Sequence, residues 1–190
     1  MPKRKVTSPP AEEPLSLKAA KSYLRIGHDH EDELVLSLIQ SARARLEAVG
    51  GLDLISKTVE MEWTQWPKRI ARGGAKLNTS PVTALNAIQI EFETGETRDV
   101  KNLFETSHDR IRYVGNDALP RLAHGDRIIA SFQVGYADAD SLPDDLKEAL
   151  LRLVGANYEA RVPSTSQSRL DGGLPVEVQA ILDARKEVRL

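Results

Sequence analysis

The sequence predicts an α+β fold. A helical core, formed by an N-terminal helical hairpin and a long helix near residues 143–161, carries an inserted antiparallel β unit and a C-terminal arm. Three observations predict it. In GYADADSLPDDLKEALLRLVGANYEAR (135–161), Leu146, Leu150, Leu153 and Asn157 recur at spacings of three and four beside Ala149, Val154 and Tyr158, which is the stripe of an amphipathic helix. The same spacing runs up to Gly50. Between the two, from Leu54 onward, the period changes to two and turn residues punctuate short segments.

The chain of 190 residues is 41% hydrophobic and 28% charged, which suits one domain with appendages and a real core. A net charge of −2 argues against a protein that grips nucleic acid over a broad face, and leaves room for a local basic patch. With no cysteine, disulfides, thiolate metal sites and a cysteine nucleophile are excluded. No apolar run is long enough to span a bilayer, and MPKRKVTSPPAEEP lacks the apolar segment of a secretory signal, so neither export nor a membrane is expected.

Residues 1–14 contain four prolines and no large apolar pattern, and are expected to be a disordered N-terminal arm with a basic cluster at Lys3, Arg4 and Lys5. The main domain then covers 15–161. Ser16 is placed to cap a short helix, LKAAKSYLRI, that Gly27 ends. Asp29 is expected to cap a second helix from His30 to about Val49, with Asp32 and Glu33 in the first turn, where the helix dipole favours acids. Its stripe is Leu34 or Val35, Leu38, Ile39, Ala42, Leu46 and Val49.

The β insert spans about 54–134. Val59, Met61 and Trp63 alternate with Glu60 and Glu62, a half-buried strand. KRIARGGAK, with Lys68, Arg69, Arg72 and Lys76 around Gly73-Gly74, reads as a hairpin tip. Ile88, Ile90 and Phe92 alternate next. A strand pair is expected from Thr97–Val100 and Arg110–Val114, and RIIASFQV (127–134) is the last strand. After Arg161, residues 162–174 read as a flexible linker. Residues 175–190 form a helical arm that opens on Pro175, with Val178, Ile181, Leu182 and Arg185 on one face. So short a helix is marginal alone, so it either folds back on its own domain or docks on a partner.

Candidate sites are few. His28, Asp29, His30 and Asp32 resemble a metal cluster in composition, yet their place at a loop-to-helix junction reads as a cap with first-turn charges. Trp63 and Trp66 read as core or interface residues. No G-x-S-x-G, phosphate loop or zinc-protease helix occurs, so no enzyme, cofactor or metal is predicted. Lys68, Arg69, Arg72 and Lys76 fit a phosphate backbone, and equally a solvated tip or a salt-bridging contact between subunits.

The order of these pieces resembles the head–tail connector, or adaptor, proteins of tailed bacteriophages and gene transfer agents. The points of likeness are Leu17 with Lys21, Leu24 and Arg25; Asp32; Pro81-Val82; Gly135-Tyr136; Pro143; and Tyr158 with Arg161, over roughly residues 15–161. The resemblance implies a structural virion protein that forms a ring, a dodecamer, under the portal, extends the DNA channel and docks the next neck or tail component. Its implied partners are the portal protein, a stopper or tail-side neck protein, further copies of itself, and genomic DNA passing through. It implies a place in the virion neck, reached from the host bacterial cytoplasm during assembly. It also implies that the C-terminal arm, with Val178, Ile181, Leu182 and Arg185, binds the portal. The alternative from the residues alone is a small nucleic-acid-binding protein using the basic loop 68–76.

Overall fold

A computed structural model of the chain describes residues 2–160 and 174–185. Apart from Leu174, the expected linker lies outside the described residues, as do Arg161 and the last five residues of the arm. The fold is α+β, and the chain divides into a β unit (residues up to Ala11 with Gly51–Tyr136) and a helical unit (Glu12–Gly50 with Ala137 onward).

Two antiparallel sheets build the β unit. The first has the order β1-β2-β8-β4-β5, from Lys3–Ser8, Lys57–Trp63, Arg127–Val134, Val82–Glu91 and Thr97–Asp99. The second has the order β3-β7-β6, from Ala75–Lys76, Arg110–Tyr113 and Phe104–Ser107. The two-residue period sets the inner face: Val59 lies opposite Phe132, and Met61 and Ile88 both oppose Ala130. These residues share one core with Ile70, Leu77, Phe104 and Ile111.

The N-terminal arm is not disordered where it is described. Lys3–Ser8 form β1, paired antiparallel to β2, with Lys3 opposite Glu62 and Val6 opposite Val59. Composition missed this because all six residues are exposed, as an edge strand's can be; what orders them is a neighbour some fifty residues away. Arg4 also reaches Asp53 at 2.7 Å, and Asp53, 2% exposed, meets Lys57 Nζ at 2.8 Å and accepts the Thr79 hydroxyl. The loop 68–76 is not a hairpin tip either. β2 and β3 do not pair, because Ile70 drops into the core and β3 joins β7 in the other sheet. Nor do Thr97–Val100 and Arg110–Val114 pair with each other: β5 pairs with β4 and β7 with β6, a strand whose short FETS sequence gave no period to read.

In the helical unit, α1 (Leu17–Leu24) and α2 (Asp32–Gly50) pack together and against α3 (Asp144–Ala160). Ser16 caps α1 by accepting the Ala19 N–H at 3.2 Å. The helix stops earlier than Gly27 because Arg25 takes the left-handed conformation and its N–H turns back to Lys21 and Ser22 carbonyls. α2 starts at Asp32, not at His30, and Asp29 is no cap: its carboxylate takes the Lys21 ammonium at 2.6 Å, as does Asp32. Val35, Ile39, Ala42 and Leu46 form the buried stripe, whereas Leu34 and Val49 are exposed. On α3 the buried set is Leu146, Ala149, Leu150, Leu153, Val154 and Gly155. α4 (Val176–Arg185) packs on α3.

Candidate functional site

Two surfaces were expected to act, the basic loop and the C-terminal helix. The loop is closed by its own backbone hydrogen bonds. Pro67 O accepts the Ile70 N–H at 3.2 Å, and Arg69 O accepts the N–H groups of Arg72 and Gly74 at 2.8 and 3.1 Å. Arg69 has φ 69 and Gly73 and Gly74 have φ 84 and 85, so three left-handed residues close the turn. A Cβ on Gly74 would also sit 3.2 Å from the Ile111 carbonyl, and that close approach keeps the loop on β7. Buried Ile70, whose carbonyl accepts the Tyr113 N–H at 2.9 Å, pins the loop from below.

With the backbone fixed inward, the charged side chains point outward. Lys68, Arg69, Arg72 and Lys76 are all exposed. Lys76 lies 3.4 Å from Asp109, and Lys68, Arg69 and Arg72 form no ion pair among the described residues. The fold brings Lys68 and Lys76 to one groove of about 400 Å³, and Lys3 of β1 joins them there. The walls include Trp63 and Trp66. Both indoles are engaged from behind. Trp66 stacks on Phe104 with centroids 5.1 Å apart and donates its Nε1–H to Pro120 O at 2.7 Å, while Trp63 meets Phe132 edge-on at 6.5 Å. That Lys3 shares the groove was invisible in sequence, because it depends on the pairing of β1 with β2.

The C-terminal helix took the first of its two alternatives: it folds back on its own unit. Val178 and Leu182 are buried, Ile181 is half-buried, and Arg185 holds Asp145 of α3 through a bidentate contact with Nε–Oδ2 at 2.5 Å. The guanidinium's hydrogen bonds hold the Asp145 carboxyl below its ordinary value. Val178 and Leu182 are therefore not a stripe open to a partner; the large apolar side chain that α4 does expose is Val176, at 81%.

The His28–His30 region forms a joint instead of a metal cluster. The ammonium of Lys21 bridges Asp29 and Asp32, which pushes Lys21 up and Asp29 down from their ordinary values through those hydrogen bonds. Tyr158 of α3 donates its hydroxyl to Glu31 at 2.8 Å, so α1, α3 and the segment leading into α2 are tied within a few residues. Among the described residues no three His, Asp or Glu side chains converge as metal ligands, and no helix is long and apolar enough to cross a membrane.

No family model matches the chain, and no curated protein does. Solved structures do. A chain from the neck of an empty gene transfer agent (GTA) particle, computed with C6 symmetry, is 24% identical, with a TM-score of 0.78 over 99% of this chain and 97% of that one. A chain in the virion of a native GTA particle is 23% identical, with a TM-score of 0.79 over 98% and 96%. A third, from the neck of a native GTA particle computed with C12 symmetry, is 22% identical, with a TM-score of 0.73 over 100% and 97%. The chain therefore shares their fold across essentially its whole length.

Proposed function

We propose that the protein is a structural component of a virion neck, a head–tail adaptor whose copies close into a ring beneath the portal. The observation that carries this reading is the end-to-end shared fold with chains of particle necks, at 97% coverage of the neck chain itself. Coverage in both directions leaves no large added or missing part that would point to another architecture. The order of sequence pieces noted above points the same way, and its residues do structural work here: Lys21 and Asp32 form an ion pair, and Tyr158 holds Glu31.

A ring of this kind needs surfaces that pair head-to-tail and close by rotation, and a surface for each neighbour along the axis. It needs no catalytic group. Twelve copies, matching the C12 symmetry of one neck in which the fold occurs, is the proposed number. The C-terminal arm is the proposed portal contact, revised from the sequence reading. Val178, Leu182 and the Arg185–Asp145 contact seat α4 on its own unit, and the outward side, with Val176, meets the portal. The side away from the portal receives the stopper or tail-side neck protein, and the ring's bore continues the path of the genomic DNA.

Co-expression with the portal protein of the same particle, followed by purification and negative-stain imaging, tests this. A ring stacked on the portal is expected, with its symmetry read directly from the images. Folded protein that fails to co-purify with portal overturns the adaptor assignment.

A further inference from the structure

We propose that the groove between β1, the 68–74 loop and β3 binds the phosphate backbone of duplex DNA, without reading sequence, through Lys3, Lys68 and Lys76. The inference stands on the β unit alone and goes beyond the ring assignment.

The first argument is convergence. The three lysines come from separate segments, an edge strand, a loop and a two-residue strand, and line one groove of about 400 Å³. Chance surface lysines disperse, since like charges repel. Here Lys3 is held by the β1–β2 register, and the loop by buried Ile70 and two left-handed glycines.

The second argument is charge left over. Arg4, next to Lys3, is committed to Asp53. The single acid in the groove lining, Glu62, stands opposite Lys3 in the β1–β2 register and lies 3.6 Å from Arg127, whose nearer partner is Glu91 at 2.8 Å, so one carboxylate faces three lysines. Lys3 and Lys68 make no ion pair among the described residues, and Lys76 has only Asp109 at 3.4 Å. Arg69 and Arg72 are exposed on the same loop and add two cations to the three that line the groove. Five cations in one region fit an extended polyanion better than a small anion.

The third argument selects duplex backbone over bases. Reading unpaired bases takes aromatic faces for stacking. The indoles of the groove are engaged with Phe132 and Phe104, and Trp66 has its N–H spent on Pro120. Lysine ammoniums are point charges that contact phosphates without distinguishing base pairs.

Binding of the full-length protein to a short labelled duplex, followed by fluorescence anisotropy across a salt series, tests the proposal. Each neutralised phosphate contributes about 0.9 to the slope of log K against log salt, so five cations would give a slope steeper than about −3. Two duplexes of unrelated sequence are expected to bind equally. The triple variant Lys3→Gln/Lys68→Gln/Lys76→Gln is expected to flatten the slope by about 2 to 3. The control Lys18→Gln/Arg98→Gln/Lys101→Gln removes the same charge from other exposed positions and is expected to leave it unchanged. All six side chains belong to exposed residues, so both variants should unfold at the wild-type temperature. No binding at low salt overturns the proposal, as does equal loss in both variants, tighter binding to single strands, or salt-sensitive self-association that DNA does not displace. Since the free protein is assayed, failure here leaves the ring reading standing, and failure to stack on a portal leaves this one standing.

Discussion

Asp53 is the residue that ties the N-terminal strand to a buried polar site. Its carboxylate, 2% exposed, takes Arg4 at 2.7 Å and Lys57 Nζ at 2.8 Å and accepts the Thr79 hydroxyl, while its own N–H donates to Ser80 O at 2.8 Å. Removing one partner of a buried ion pair leaves the other charge in a dry site. Asp53→Ala should therefore cost about 3 kcal/mol or more in urea unfolding. Arg4→Ala removes a half-exposed partner and should cost about 1 kcal/mol or less. Nothing in the sequence marked Asp53, since a carboxylate between two leucines carries no period or spacing and its partners lie up to 49 residues away. Gly135 was legible as the end of the last strand, though its reason was not. It has φ 91, and a Cβ there would lie 2.3 Å from the Ile55 carbonyl oxygen, next to the bridge between Ile55 and Tyr136. Gly135→Ala combines a backbone clash with a left-handed conformation, so it should lower the melting temperature more than Gly73→Ala, whose Cβ meets nothing.

At the scale of elements, those built on their own periodicity were readable and those built on a neighbour were not. α2, α3, β2 and β8 carry an apolar stripe or alternation that burial then confirms. β1, β3 and β6 are exposed or short, and exist because a partner strand supplies their hydrogen bonds. The C-terminal helix is intermediate: its stripe was visible and its destination was not. It is held by burial of Val178 and Leu182 and by the Arg185–Asp145 contact, and that contact makes its docking sensitive to acid. Because the Arg185 guanidinium depresses the Asp145 carboxyl in the folded chain, the contact's contribution is fully present above the ordinary carboxylate value. It fades as pH falls through the depressed folded value. Both groups are solvent-accessible, so the contribution should be about 1 kcal/mol or less. Arg185→Gln should move the Asp145 titration, followed by carboxyl NMR, upward toward its ordinary value. An unmoved titration would show that the guanidinium does not hold this carboxylate.

For the whole molecule, the insertion of the β unit between α2 and α3 was legible from the switch in period, and its limits, about 54–134 from sequence, compare with Gly51–Tyr136 in the fold. What sequence could not show is that the first residues return to that unit, so that the chain leaves the β unit at Ala11, re-enters it at Gly51 and leaves again after Tyr136. The role proposed for the assembled protein makes a demand on α4 that folding alone does not. A helix that served only to cover α3 would gain nothing from an apolar side chain on its outward side, yet Val176 is 81% exposed there. Val176→Asp separates the two roles. It replaces a solvated methyl pair by a carboxylate in the first turn, where the helix dipole tolerates or favours negative charge, so stability should change by less than about 0.5 kcal/mol. If the outward side of α4 docks on the portal, the same change places a charge in an apolar contact and should weaken co-purification with portal by tenfold or more, the equivalent of about 1.4 kcal/mol. Leu182→Ala provides the contrasting case: it should cost about 2 to 3 kcal/mol of stability through the cavity it leaves, and weaken portal binding only as far as α4 comes loose. Portal binding undiminished by Val176→Asp, with the protein folded, would assign α4 to the stability of its own unit and move the portal contact to another surface.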